Sequence, residues 1–298
     1  MATTAPHTTI LDGGLATHLE TLGADLNDEL WSARLLTTDP DLIRRTHRDY
    51  FRAGAHVAIT ASYQATPHNL RTHTTDPPEH LLRLSVDLAR QARDDHGSGL
   101  VAASIGPYGA ALADGSEYTG DYGLDTDELT RWHHDRWQIL ADTPADLLAC
   151  ETIPSYPEAL ALARLMDTTP ERPTWISFSC RDDTHINDGT SIATAVTAFA
   201  RFADQPTLRA VGVNCTDPHH VPNLVKHITR VLPTTPVVVY PNSGETWAPR
   251  TRTWHGTAEP ERFAAAAGEW RRLGATHIGG CCRTTPEHIR ALRERLTR

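Results

Sequence analysis

At 298 residues and 39% hydrophobic content, the chain carries enough apolar material for a large core, and the length suits either two small domains or one barrel. Its 28 basic and 37 acidic residues leave a formal charge of −9; with no basic stripe, this excludes a polyanionic partner such as nucleic acid. No apolar run approaches the roughly 18 residues of a membrane span, and Met1 to Thr9 has neither the basic region nor the apolar stretch of an export signal. A soluble, cytoplasmic protein is expected. Its five cysteines form no disulfide framework, and a reducing compartment would keep them as thiols.

In chain order, short apolar runs alternate with helical patterns eight times, the signature of parallel βα units. The predicted strands are Thr9 to Asp12, His56 to Ala61, Leu100 to Ser104, Asp146 to Glu151, Thr174 to Cys180, Arg209 to Asn214, Pro236 to Tyr240 and Thr276 to Gly280. Between them, apolar residues recur at spacings of three and four, as in Leu81, Leu84, Leu88 and Ala92, or Val221, Leu224, Val225 and Ile228. Asp39-Pro40 opens the first helix and Gly54 closes it; Gly274 closes the seventh. Eight units in this length predict a single (β/α)8 TIM barrel spanning residues 1–298, with a doubly wound open sheet as the alternative. The segments after strands one, two, three and seven are long, whereas returns such as Ala53-Gly54-Ala55 are tight. Long loops on one side mark the functional face.

Residues that end the strands of a barrel become neighbours in space. Strand one ends at Asp12-Gly13-Gly14, strand four at Glu151-Thr152, strand six at Asn214-Cys215, strand seven at Tyr240 to Glu245, and strand eight at Gly279-Gly280-Cys281-Cys282. Neighbouring side chains alternate faces along a strand, so Cys281 and Cys282 can aim at one point only where the strand breaks, and the glycines supply that break. Cys215 is the candidate third thiolate, with Cys180 a rival, while Cys150 inside an apolar run reads as a core residue. Three thiolates without a fourth protein ligand describe a zinc site with an open position. Such a Zn²⁺ already carries negative charge and is a poor activator of water. It suits holding a substrate thiol as a nucleophilic thiolate toward a cationic methyl donor. Asp12 and Glu151 are candidates for binding an amino-acid ammonium group. Trp31, Tyr63, Tyr108, Tyr118 and Tyr122 are candidates for facing the cation. Asn214 and Asn242 complete the candidate substrate-binding set.

The motifs Asp12-Gly13-Gly14-Leu15-Ala16-Thr17, Ala61-Ser62-Tyr63-Gln64-Ala65, Gly106-Pro107-Tyr108-Gly109, Glu151-Thr152, Val213-Asn214-Cys215, Tyr240 to Glu245 and Gly279 to Pro286 closely resemble the zinc-dependent homocysteine S-methyltransferases, in consistent order over nearly the whole chain. The resemblance implies a (β/α)8 barrel, zinc held by Cys215, Cys281 and Cys282, and homocysteine sulfur in the fourth position. It also implies that Asp12 and Glu151 contact the homocysteine amino group and that Trp31 and Tyr63 lie near the donor. Tyr118 to Tyr122 and Tyr240 to Glu245 look like the shorter branch, which uses S-methylmethionine and often S-adenosylmethionine, rather than the betaine-using branch with its long C-terminal extension. The expected partners are therefore homocysteine and a sulfonium methyl donor. Two other readings stand beside this one: a non-catalytic zinc or thiol-sensing barrel, and a lyase or aldolase. The aldolase reading lacks a Schiff-base residue at a strand end, because the sole lysine, Lys226, falls on the sixth helix.

Overall fold

The structure, a computed structural model, describes residues 8–26, 30–248, 253–255 and 258–297. Most of the stretch Met1 to Thr9 and part of the loop after strand seven lie outside the described residues. The strands are β1 (Thr9–Ile10), β2 (Val57–Ile59), β3 (Leu100–Ile105), β4 (Leu147–Ile153), β5 (Thr174–Phe178), β6 (Leu208–Asn214), β7 (Val237–Tyr240), a short antiparallel pair β8 (Thr246–Ala248) and β9 (Thr253–His255), and β10 (Ala275–Ile278). The main sheet is parallel in the order β1-β10-β7-β6-β5-β4-β3-β2. A parallel bridge from Leu11 to Val57 brings its two edges together. Eight parallel strands with surrounding helices thus make the expected (β/α)8 barrel. Strand bounds differ from the sequence reading by a residue or two at most ends, because apolar runs continue past the last ladder hydrogen bond.

Alternation along the strands sorts the interior from the outer layer. Leu147, Ala149 and Tyr240 belong to the inner cluster, whereas Leu148, Cys150 and Val239 join the larger core between strands and helices. The inner cluster also takes Leu11 just past β1, Val57 from β2, Ala102 from β3, Trp175 from β5, Ala210 from β6 and Val238 from β7. Trp175 is its largest member, and alanines on β3, β4 and β6 leave the space for it. The barrel is therefore filled by side chains, and only its ends are open to a ligand.

The helices follow the start and stop signals. The helix Pro40–Ala53 opens on Asp39, whose side chain accepts from Leu42 N, and closes at Gly54 with φ 113°. The helix Pro260–Leu273 closes at Gly274 with φ 119°. The long segments are partly ordered: that after β1 holds a helix at Leu15–Thr21 and a 3₁₀ turn at Trp31–Arg34, and that after β3 holds Tyr108–Leu112 and Ser116–Tyr118. No described helix is long and apolar enough to cross a membrane.

The seam between β1 and β10 is tightly drawn. A Cβ on Gly279 would sit 2.6 Å from Leu11 Cβ and 2.7 Å from Asp12 O. Across it, the buried Tyr50 hydroxyl faces two carbonyls, Gly14 O at 2.9 Å and Thr284 O at 3.1 Å. Each carbonyl keeps a backbone donor, Gly14 O from His18 N and Thr284 O from Gly14 N, so Tyr50→Phe removes one net hydrogen bond and should lower the unfolding free energy by about 0.5–1.5 kcal/mol. Urea denaturation measures that loss, and an unchanged midpoint would show that the seam does not depend on this hydroxyl.

Candidate active site

The strand ends do converge. A cavity of about 110 Å³ opens at the C-terminal end of the barrel, lined by Asp12, Gly13, Gly14, Trp31, Tyr63, Tyr118, Glu151, Thr152, Tyr240 and the three cysteines Cys215, Cys281 and Cys282, among others. The sulfur atoms of Cys215, Cys281 and Cys282 all lie within 4.8 Å of one another. Among the described residues they are the only His, Cys, Asp or Glu group so placed. Cys180, the rival ligand, is buried in the outer core instead, its backbone N–H bonded to Thr216 Oγ1. Cys150 lies in the same core.

Placement and oxidation state part company here. Cys215 and Cys281 are joined as a disulfide, and Cys282 Sγ lies 3.9 Å from Cys215 Sγ. The cluster has the composition expected of three thiolates, but two of its sulfurs are oxidised and need two electrons to become ligands. Burial also pushes the Cys282 thiol up to about 11; without a nearby cation this sulfur holds its proton at neutral pH. An open set of three soft sulfurs fits a single thiophilic metal ion.

The glycines before the cysteines do more than break the strand. Ladder-like bonds continue through Gly279 N to Val239 O, Gly280 N to Asp12 O and Cys281 N to Pro241 O. Gly279 and Gly280 allow this backbone to lie against β1 and Thr284 without a Cβ between them. The turn comes after Cys282, at Arg283, with φ 66°. Trp31 (φ 49°), Thr152 (φ 61°) and Cys215 (φ 46°) also adopt the left-handed region, leaving Ala113 as the only other non-glycine to do so among the described residues. Each such residue costs on the order of 1–3 kcal/mol. Their concentration around one cavity marks it as the functional site.

The two carboxylates sit on the cavity floor. Asp12 is 1% exposed; its Oδ2 accepts from Ile59 N at 2.8 Å, while Oδ1 is buried without a hydrogen-bond partner. Burial, with the nearby Glu151 adding to it, raises the Asp12 carboxyl well above the usual carboxylate range. Glu151 is pushed up by burial to about 7, against the lowering effect of hydrogen bonds from Ser104 and Tyr240. Tyr240 in turn accepts from the Trp175 indole N–H at 3.2 Å and pairs with Ser177 Oγ at 2.5 Å. A polar chain thus runs from the barrel interior up to Glu151. Two carboxylates that gain from a positive charge, one with a free oxygen, have the chemistry to receive a cationic group.

The aromatics divide. Trp31 and Tyr63 meet edge to face at 6.2 Å on the cavity wall, and Tyr118 also lines it. Tyr108 and Tyr122 do not; they pack on each other at 5.2 Å behind the wall. Neither asparagine lines the cavity. Asn214 is fully buried and grips Thr152, accepting from its N–H at 2.7 Å and donating Nδ2–H to its Oγ1 at 2.7 Å. This grip holds the positive-φ residue that follows Glu151. Asn242 is anchored through its backbone N–H to Thr216 O. Sequence reasoning assigned no role to Ser104, Tyr240 or Thr152, whose parts depend on contacts between strands. The strand-end placement of Tyr240 and Thr152 was the available signal.

A profile of the homocysteine S-methyltransferase family matches residues 9–296. The homocysteine S-methyltransferase YbgG of Bacillus subtilis is 46% identical over 296 residues, covering 95% of this chain and 92% of that protein. Crystal structures of the Escherichia coli homocysteine methyltransferase MmuM in its metallated and oxidised forms each superpose with a TM-score of 0.85 at 42% identity, covering 97% of this chain and 96% of that one. Strand order, a cysteine trio at the strand ends and similarity along almost the whole sequence agree, and the chain belongs to the homocysteine S-methyltransferase family.

Proposed function

We propose that this homocysteine S-methyltransferase takes a methyl group from S-methylmethionine, with S-adenosylmethionine as a further donor, at a Zn²⁺ centre held by Cys215, Cys281 and Cys282. The observation that carries the reading is one cavity lined at once by three sulfurs, two carboxylates and the Trp31–Tyr63 pair. Bound Zn²⁺ supplies a positive charge that keeps the homocysteine sulfur deprotonated and nucleophilic at neutral pH. Asp12 and Glu151 receive the homocysteine ammonium group, which fixes the direction of the side chain and aims its sulfur at the cysteines. Trp31 and Tyr63 turn their ring faces toward the sulfonium methyl. The thiolate attacks that methyl in line; the new S–CH₃ bond forms as the donor C–S bond breaks, and the donor leaves as a neutral thioether. Opposite charges cancel on the way to the transition state, so a water-poor, apolar wall favours the reaction. The cysteine trio must be reduced first. No side chain is needed as a general base, since the thiol proton departs as the metal binds.

The primary test is methionine production from homocysteine by reduced, zinc-loaded protein, with S-methylmethionine, S-adenosylmethionine or betaine supplied in parallel and a chelated control. Chelator-sensitive turnover with a sulfonium donor is expected. Failure with every donor despite one bound zinc per chain would leave the non-catalytic zinc barrel standing. Cys282→Ser should lose metal and turnover together, as read by metal analysis and product assay. Oxidised protein should take up zinc only after treatment with a dithiol.

Glu151 gives a pH test with two opposite signs. Its pKa is raised by burial to about 7 from 4.5, so the charged form that attracts an ammonium group fills in as pH rises through about 7. Binding of methionine, which has no titrating thiol, should tighten between pH 6 and pH 8, and Glu151→Gln should abolish the dependence. Stability runs the other way. A carboxyl whose folded pKa is raised stabilises the protein below its unfolded value and loses that contribution as pH climbs to the folded one. Metal-free Glu151→Gln should therefore gain on wild type between pH 5 and pH 8, by on the order of 3 kcal/mol, in urea titrations at the two pH values. Parallel pH curves for the two proteins would remove Glu151 from this role.

A further inference from the structure

Behind the aromatic wall lies a buried ionic cluster that is not part of the lining of the candidate site. Arg136 and His133, on the helix Thr126–Ala141, and Glu158, on the helix Tyr156–Thr168, are each at most 1% exposed. A buried Arg and Glu are expensive to desolvate; the contacts within the cluster offset part of that cost, while Arg136 Nε and Glu158 Oε2 have no hydrogen-bond partner. The Arg136 guanidinium donates to the Gly106 carbonyl, to Tyr63 O at 3.3 Å and to His133 Nδ1 at 3.1 Å. An arginine only donates, so His133 Nδ1 is an acceptor and the ring proton sits on Nε2. That proton is given to Glu158 Oε1 at 2.8 Å. The same carboxylate oxygen accepts from Tyr108 N at 2.6 Å. Burial lowers the His133 pKa, so the imidazole is neutral and the cluster is one cation, one anion and a neutral relay.

Its two outputs are both parts of the cavity surroundings. Tyr63 lines the cavity, and its ring lies so close to Gly106 that a Cβ there would approach two ring carbons to 2.8 and 2.9 Å. Arg136 ties the carbonyls of these two residues to one guanidinium plane. On its other side the guanidinium carbon lies 5.0 Å from the Trp132 ring centroid, and Trp132 meets Tyr108 edge to face at 5.1 Å. One cation thus fixes the end of β3, the turn after β2 and the ring that faces Trp31.

We infer that Arg136 is a positioning residue for the methyl donor: held by His133 and Glu158, it sets the placement of the Tyr63 ring and so the fit of the sulfonium, without touching either substrate. The inference rests on the proposed reading that the donor lies against Trp31 and Tyr63. The cysteines, Asp12 and Glu151 receive no direct hydrogen bond from the cluster; its nearest link to the acceptor side is indirect, through Ser104 on β3, which donates to Glu151. Lysine in place of Arg136 brings one point charge and loses the fork that spans two carbonyls.

The experiment compares zinc-loaded wild type, Arg136→Lys, His133→Leu and His133→Gln in steady-state assays that vary each substrate separately, with bound zinc measured for each. In Arg136→Lys and His133→Leu, the donor KM should rise about tenfold, the scale of effect expected from misplacing a reacting group. Zinc content and the homocysteine KM should stay within twofold of wild type. His133→Gln, whose amide can accept from Arg136 and donate to Glu158, should restore the donor KM. An unchanged donor KM in a folded Arg136→Lys protein would overturn the inference, and so would equal losses for both substrates, which mark a general packing role. If Arg136→Lys fails to fold, the His133 pair decides alone, with equal donor KM values for Leu and Gln counting against the idea. Absence of sulfonium turnover in wild type would instead remove the donor reading itself.

Discussion

The catalytic end of this barrel depends on how closely β10 can approach β1. Gly279 and Gly280 present no Cβ, so the backbone leading to the cysteines lies against Leu11 and Asp12, and Gly280 N reaches Asp12 O at 3.0 Å. That contact closes the barrel and, in the same stroke, brings Cys281 and Cys282 beside the Asp12 carboxylate and opposite Cys215 two strands away. Closure and ligand geometry are therefore one constraint. A larger residue at Gly279 would have to part the seam, and one at Gly280 would have to displace the Thr284 side chain.

The site is also an electrostatic deficit. Three sulfurs and two carboxylates share one small cavity, and among the described residues no cationic side chain lines it. Burial answers by holding protons: Asp12, Glu151 and Cys282 all shift toward their neutral forms. A positive charge brought into the cavity would favour the ionised form of each. The protein contributes the counter-charge in advance and leaves the cations to its ligands.

Much of this was legible in the sequence. Eight alternating units gave the barrel, and the rule that strand ends meet placed Asp12, Glu151, Cys215, Cys281 and Cys282 together before any coordinates. The rest was hidden for identifiable reasons. Asn214 stands at a strand end like a ligand, yet its side chain turns sideways to hold Thr152, and sideways contacts leave no periodic trace. Tyr108 and Tyr122 sit in a loop beside Tyr118, but only Tyr118 reaches the cavity, because the loop folds into two short helical turns. Arg136, His133 and Glu158 read as surface charges at i, i+3 spacing and on a separate helix; only the packing of those helices buries them. Oxidation at Cys215 and Cys281 has no sequence signature at all.

Trp175 gives the reaction a timetable. It fills the barrel interior, so on the proposed reading both amino-acid substrates would reach the cavity from the loop face of the barrel. The sulfurs and carboxylates lie toward the floor, whereas Tyr118, half exposed at 52%, stands at the rim. A molecule seated at the rim bars the way to the floor. On the proposed reading, an acceptor held at the floor would have to enter before a donor seated at the rim.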